Sequence, residues 1–140
     1  MEFRFFEIYR NSEYLYLLLE GLITSFSLTV LAGTIGFCLA IILAGVRYQN
    51  VYILTSASAS FTEFIRNTPL IVQLFFVAFG LPILFDYQWS FWAHALLALV
   101  LNFSAYFAEI LRAGFDNINK GQVEGALAMG LSKRIIFLKI

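Results

Sequence analysis

From Gly21 to Val46 the chain runs for 26 residues without a charged side chain. As a helix, that run is about 39 Å long at 1.5 Å per residue. It exceeds the roughly 30 Å hydrocarbon core of a bilayer, so it can cross with tilt or protrude. It is too long for the apolar part of a signal peptide, and the preceding residues mix charges of both signs instead of forming a basic leader. Ala32, Gly36, Ala40 and Ala44 recur along it every fourth residue. That spacing puts them on one helix face, a stripe of small side chains that another helix can approach closely.

The rest of the chain agrees. Hydrophobic residues make up 61% and charged residues 13%, against roughly 25% charged in a soluble domain. The formal net charge is zero, which argues against a nucleic-acid partner, since that would leave a basic stripe. The single cysteine, Cys38, has no disulfide mate or metal-ligand spacing and reads as a small buried hydrophobe. The chain thus reads as an all-α integral membrane protein. Gaps between charges predict spans over about 15–46, 67–85 and 88–110, with an interfacial elbow over 51–65.

The elbow follows from the length of the segment Val51–Phe85, which is too long for one span and is punctuated by Glu63 and Arg66. Pro69 belongs at the start of a helix, and Thr68 before it is placed to cap that helix. Gln73 then sits inside the second span and needs a partner. The aromatic stretch Phe85–Trp92 suits a water–lipid boundary. His94 lies early in the third uncharged run, where a solvated or hydrogen-bonded histidine is expected, and Asn102, Ser104 and Tyr106 lie late in it. Glu109 and Arg112 are spaced to pair across one helical turn. Arg112, Lys120, Lys133, Arg134 and Lys139 make the tail basic, which favours the cytoplasm. With three spans, Arg47 falls on that same side and the amino terminus lies outside, although Arg4 and Arg10 weaken the bias.

Segment 118–137 differs from everything before it. Gln122–Met129 is helix-compatible apart from Gly125, Gly130 is placed to end a helix in the left-handed region, and Ser132 can cap a following helix that begins at Lys133. A helix of about eight residues is unstable alone in water, so it needs something to pack against; a plain inter-helix loop is the alternative.

"EGALAMG" (Glu124–Gly130), preceded by "GQ", resembles the EAA motif of type I ABC importer permeases. "FIRNTPLIVQLFFVAFGLP" (Phe64–Pro82) resembles the Phe-Arg-Gly-Thr-Pro-Leu-x-x-Gln-Leu-Phe-Phe signature of the branch that carries histidine, glutamine, glutamate and arginine. "SAYFAEILRAGFDNINKGQVEGALAMGLS" (Ser104–Ser132) and "EGLITSFSLTVLAGTIG" (Glu20–Gly36) are similar to the same branch. The resemblance runs from about Tyr14 to the end. It departs at Gly125, where alanine is usual, at Asn67 for glycine and at Ile65 for phenylalanine. The family's pattern continues beyond "FLKI" through about two more spans, so the resemblance implies an amino-terminal part of a MetI-like transmembrane domain.

The resemblance implies a permease chain paired with a second copy or a paralogous permease. It also implies a pair of ATP-binding subunits beneath in the cytoplasm and an extracytoplasmic amino-acid-binding protein, all at a bacterial inner membrane. ATP and magnesium belong to the partner ATPase, since this chain lacks a phosphate-cradling glycine loop and implies no cofactor or metal of its own. Gly121, Glu124, Gly125, Ala126 and Gly130 map onto the segment that seats in the ATPase. Arg66, Thr68 and Pro69 keep the second signature. Polar groups inside apolar spans are suspects for solute contact, which singles out Gln73, Asn102, Ser104 and Tyr106, with Glu109 for a cationic solute; bonding to neighbouring helices remains the alternative. A passive channel would not need the EAA segment, and no nucleophile–base pair points to an enzyme. A nonfunctional remnant or a small accessory membrane protein stays open.

Overall fold

A computed structural model describes residues 12–48, 52–132 and 134–136, and the described residues are helical with connecting turns. The expectations resting on Arg4, Arg10, Val51, Lys133, Phe137 and Lys139 lie outside them. Helix α1 is Ser12–Tyr48, α2 Tyr52–Asn67, α3 Leu70–Phe85, α4 Phe91–Asp116 and α5 Lys120–Ala128. Two of these, α1 and α4, are long and apolar enough to cross a membrane, and α2 with α3 makes a third such unit bent by 106°.

The small stripe of α1 is the principal seam. Ala32, Gly36, Ala40 and Ala44 are its buried residues, and α4 presents Ala98, Ala105 and Ala108 with no exposed surface. Contact is close enough that a β-carbon on Gly36 would stand 2.9 Å from Phe103 Cβ, 3.2 Å from Ser104 N and 3.3 Å from Val100 O. Gly36 thus lets the two backbones meet where lipid supplies no drive to press helices together. Phe37 packs edge-on against Phe107, and Tyr48 packs against Phe115. Partner numbers rise together along the two helices, so α1 and α4 run parallel. Cys38 is exposed, not buried: two residues from Gly36 is about 200° around a helix, which turns it away from the seam.

Boundaries shift from their sequence positions for local reasons. The fourth helix starts at Phe91 because Ser90 caps it, its side chain accepting from Ala93 N. It runs past 110 to Asp116, where Arg112 pairs with Glu109 one turn before and Asp116 one turn after. The elbow extends from Tyr52 to Asn67. Its Ser58, Thr62 and Ile65 face inward, and Ser58 Oγ donates to Leu43 O of α1 at 3.2 Å. Thr68 does not cap α3. Its hydroxyl donates backwards to Phe64 O at 2.7 Å and closes the last turn of α2, while Pro69, at ψ 138°, precedes α3 with no side-chain cap.

Helix α3 is not uniform. Leu70–Phe75 and Leu81–Phe85 are α-helical, but Phe76–Gly80 opens into a wide π turn. Pro82 accounts for it: the proline has no N–H for the carbonyl four residues earlier, and its ring crowds that carbonyl. Gly80 fits the same turn, since a β-carbon there would stand 2.9 Å from the Phe76 ring. At Asp86 the backbone is left-handed, φ 49°, and the chain reverses. Gln73 meets Asn102 at one end and Tyr87 stacks on His94 at the other, so α3 lies antiparallel to α4.

Candidate functional site

The polar residues sort into two groups. The first lies where α2 bends into α3. Gln73 Nε2 donates to Ile65 O at 2.7 Å and to Thr68 O at 2.8 Å, carbonyls at the end of α2, where Ile65 O also accepts from Thr68 N at 3.3 Å. Gln73 Oε1 accepts from Asn102 Nδ2 of α4 at 3.2 Å. Both side chains are buried. One carboxamide thus fastens the bend and ties it to the long helix. Ser104 is buried too, donates to Leu101 O at 2.8 Å and lies at the α1–α4 seam, apart from this pair.

The second group gathers around Glu109. Its Oε1 accepts from Arg112 Nη2 at 2.6 Å and Nε at 3.1 Å, and its Oε2 accepts from Arg47 Nη1 at 3.1 Å. Arg66 Nη1 stands 3.6 Å from Oε1, and the Arg66 guanidinium lies over the Tyr106 ring with Cζ 5.8 Å from its centroid. Arg112 also pairs with Asp116. The Glu109–Arg112 and Arg112–Asp116 pairs lie at local helical spacing. Arg47 comes from 62 residues upstream, and the parallel α1–α4 seam delivers it. A cleft of about 200 Å³ opens beside this cluster, lined by Arg47, Tyr48, Thr55, Arg112 and Asp116 among others. Removing one partner leaves the other charges poorly compensated. Glu109→Gln is therefore expected to destabilise the folded chain by about 1–3 kcal/mol, read as earlier loss of monodisperse protein on heating in detergent, whereas Asp116→Asn at the exposed rim should have little effect.

His94 is hydrogen-bonded, as its position predicts. Since a carbonyl can only accept, Nδ1 carries the proton that meets Ser90 O at 3.0 Å. Tyr87 and Trp89 flank the ring, and Nε2 has no partner among the described residues.

Beyond α4 the polar tail forms α5. Asn119, which local reading missed, caps it by accepting from Gly121 N at 2.9 Å; an asparagine before a helix-prone stretch is the signal. Glu124 and Gly125 are exposed while Ala126 is buried. Gly130, at φ +79°, ends the helix in the left-handed region, and Leu131 N donates to Ala126 O. Ser132 Oγ accepts from Ile135 N at 3.4 Å, as a cap does. The helix therefore presents Glu124, Leu127 and Met129 outward, Met129 being 76% exposed.

Residues 17–140 match the family described as binding-protein-dependent transport system inner membrane component. The chain belongs to this family. Among curated relatives, the arginine transport system permease protein ArtQ of Bacillus subtilis is 41% identical over 115 residues, covering 81% of this chain and 52% of its own. The nopaline transport system permease protein NocM of Agrobacterium fabrum is 34% identical, over 88% of this chain and 55% of its own. A crystal structure of an amino acid ABC transporter with histidines matches with a TM-score of 0.86 and 32% identity, over 96% of this chain and 61% of that one. The chain spans about half the length of the curated relatives it matches. As a member of this inner-membrane transport family, it is an all-α integral membrane protein with the type I importer transmembrane fold, and α1 and α4 are its long apolar helices.

Proposed function

We infer that the chain serves as a membrane-spanning permease subunit of an ATP-driven importer of polar amino acids. The observation that carries this reading is α5: a nine-residue helix beyond the end of α4, capped at both ends, with Glu124 exposed and little of its surface covered by the rest of the chain. A helix this short needs an external surface to be stable, and the family's ATP-binding subunit supplies one. The named relatives, which carry arginine and nopaline, support the solute class. On this reading two ATP-binding subunits hold the ATP and magnesium, a second permease chain completes the path, and an extracytoplasmic protein delivers the solute. The spans run over about 15–46, 67–85 and 88–110, with the amino terminus outside and α5 in the cytoplasm. Tyr106 and the rim of Glu109 border the path, while Gln73, Asn102 and Ser104, whose polar groups are engaged within the chain, set the shape of its wall.

The test is attachment and uptake in the complete transporter. Glu124→Arg reverses the charge offered to the ATPase, and Gly130→Val forces a β-branched residue into φ +79°. Each should cut solute uptake by more than about tenfold and release the ATP-binding subunit on purification, with permease still present in the membrane. Gly125→Ala is the matched control. A β-carbon there meets nothing within 4 Å, and alanine favours the helix by up to about 1 kcal/mol, so the ATPase should be held at least as tightly. Unchanged uptake and attachment in both Glu124→Arg and Gly130→Val would overturn the reading.

A further inference from the structure

Among the described residues around Glu109 the charges do not balance. Three guanidiniums, Arg47, Arg66 and Arg112, face two carboxylates, Glu109 and Asp116. Both oxygens of Glu109 already accept hydrogen bonds from Arg47 and Arg112, and Asp116 is engaged by Arg112. Arg66 is the cation left over. Its 3.6 Å approach to Glu109 is an ion pair without a hydrogen bond. Among the described residues none accepts from its five N–H donors. Its side chain is 38% exposed, so the donors are not sealed inside the protein. Beneath it lies the Tyr106 ring, itself 45% exposed.

A guanidinium laid on an aromatic face, with its fork open, is the arrangement that receives a planar oxyanion through two parallel hydrogen bonds. We propose that Arg66, positioned over Tyr106, binds the α-carboxylate of the amino-acid solute at the end of the path nearest α5. This rests on the permease reading above. Every α-amino acid carries that carboxylate whatever its side chain, so one arginine serves a range of solutes. The bound carboxylate supplies the negative charge that the cluster lacks. Glu109, 3.6 Å from Arg66, repels it at the same time, which keeps the station weak and allows release. A lipid phosphate offers similar oxyanion chemistry, and the experiment separates the two.

The assembled complex, with ATP-binding subunit and without the extracytoplasmic protein, is purified in detergent. Binding of radiolabelled L-arginine and L-glutamine is measured against competition by their α-amides, which lack the carboxylate. The wild type should prefer each acid over its amide by about tenfold. Arg66→Gln should lower acid binding to the level of the amide, and Arg66→Lys, which keeps the charge but not the fork, should fall between. Co-purified ATP-binding subunit verifies assembly, and Arg66→Lys carries the test where Arg66→Gln fails to assemble. Undiminished acid preference in the variants would overturn the assignment. So would phosphatidylglycerol seen by native mass spectrometry on the wild type and lost from Arg66→Gln while solute binding stays the same, since the oxyanion is then a lipid's. If the wild type neither retains the ATP-binding subunit nor binds solute, the permease reading itself falls.

Discussion

Replacing Gly36 with leucine is expected to drive α1 and α4 apart and to cost about 3 kcal/mol, the upper end of what overpacking a close seam does. The atoms that a side chain would meet cannot step aside. The nearest is Phe103 Cβ at 2.9 Å, and the next two are backbone, Ser104 N at 3.2 Å and Val100 O at 3.3 Å. Even alanine should be felt. Gly33→Leu is the comparison: three residues earlier on the same helix, a β-carbon meets nothing within 4 Å. The measurement is the temperature at which purified protein stops running as a single species in detergent, with membrane yield beside it. Equal behaviour of the two variants would mean that the seam is not set by Gly36.

The second large effect belongs to Gln73. Gln73→Leu removes the donor from the carbonyls of Ile65 and Thr68 and the acceptor from Asn102, three bonds of 2.7, 2.8 and 3.2 Å. An unsatisfied buried polar group costs about 1–3 kcal/mol. Ile65 O keeps the Thr68 N–H at 3.3 Å, so the total, carried by Thr68 O and Asn102, should come to about 3 kcal/mol. Asn102→Leu removes only the last bond and should cost about 1–2 kcal/mol. The double variant should cost less than the sum, because leucine at 102 leaves one fewer group stranded. The same heating measurement on all three proteins reads the order. An Asn102→Leu effect as large as that of Gln73→Leu would show that the tie to α4, and not the closure of the bend, carries the stabilisation.

Much of this was legible in the sequence because it depends on periodicity or single-residue chemistry. The fourfold spacing of Ala32, Gly36, Ala40 and Ala44 predicts the seam without its partner. A polar Gln73 among apolar neighbours announces that it needs hydrogen bonds, and Gly130 announces a left-handed residue. What was hidden depends on distant chain segments meeting. Arg47 and Arg66 reach Glu109 only once α1 and α2 have packed beside α4, and no local pattern reports that. Thr68 illustrates a choice between two legitimate local bonds. Its hydroxyl satisfies a carbonyl of α2 instead of capping α3, since α3 starts at Leu70 with Pro69 in the cap position and Thr68 stands one residue too early. Pro82 was a readable signal for the widened turn at Phe76–Gly80 that span counting passes over.

The 106° angle between α2 and α3 has a mechanical consequence. A hinge needs a joint whose bonds can open cheaply, yet here Gln73 grips two carbonyls on one side of the corner while rooted on the other. The two arms are therefore welded, like the arms of a bell crank. A push that slides α2 sideways is returned as a tilt of α3, and Asn102 ties that corner to α4.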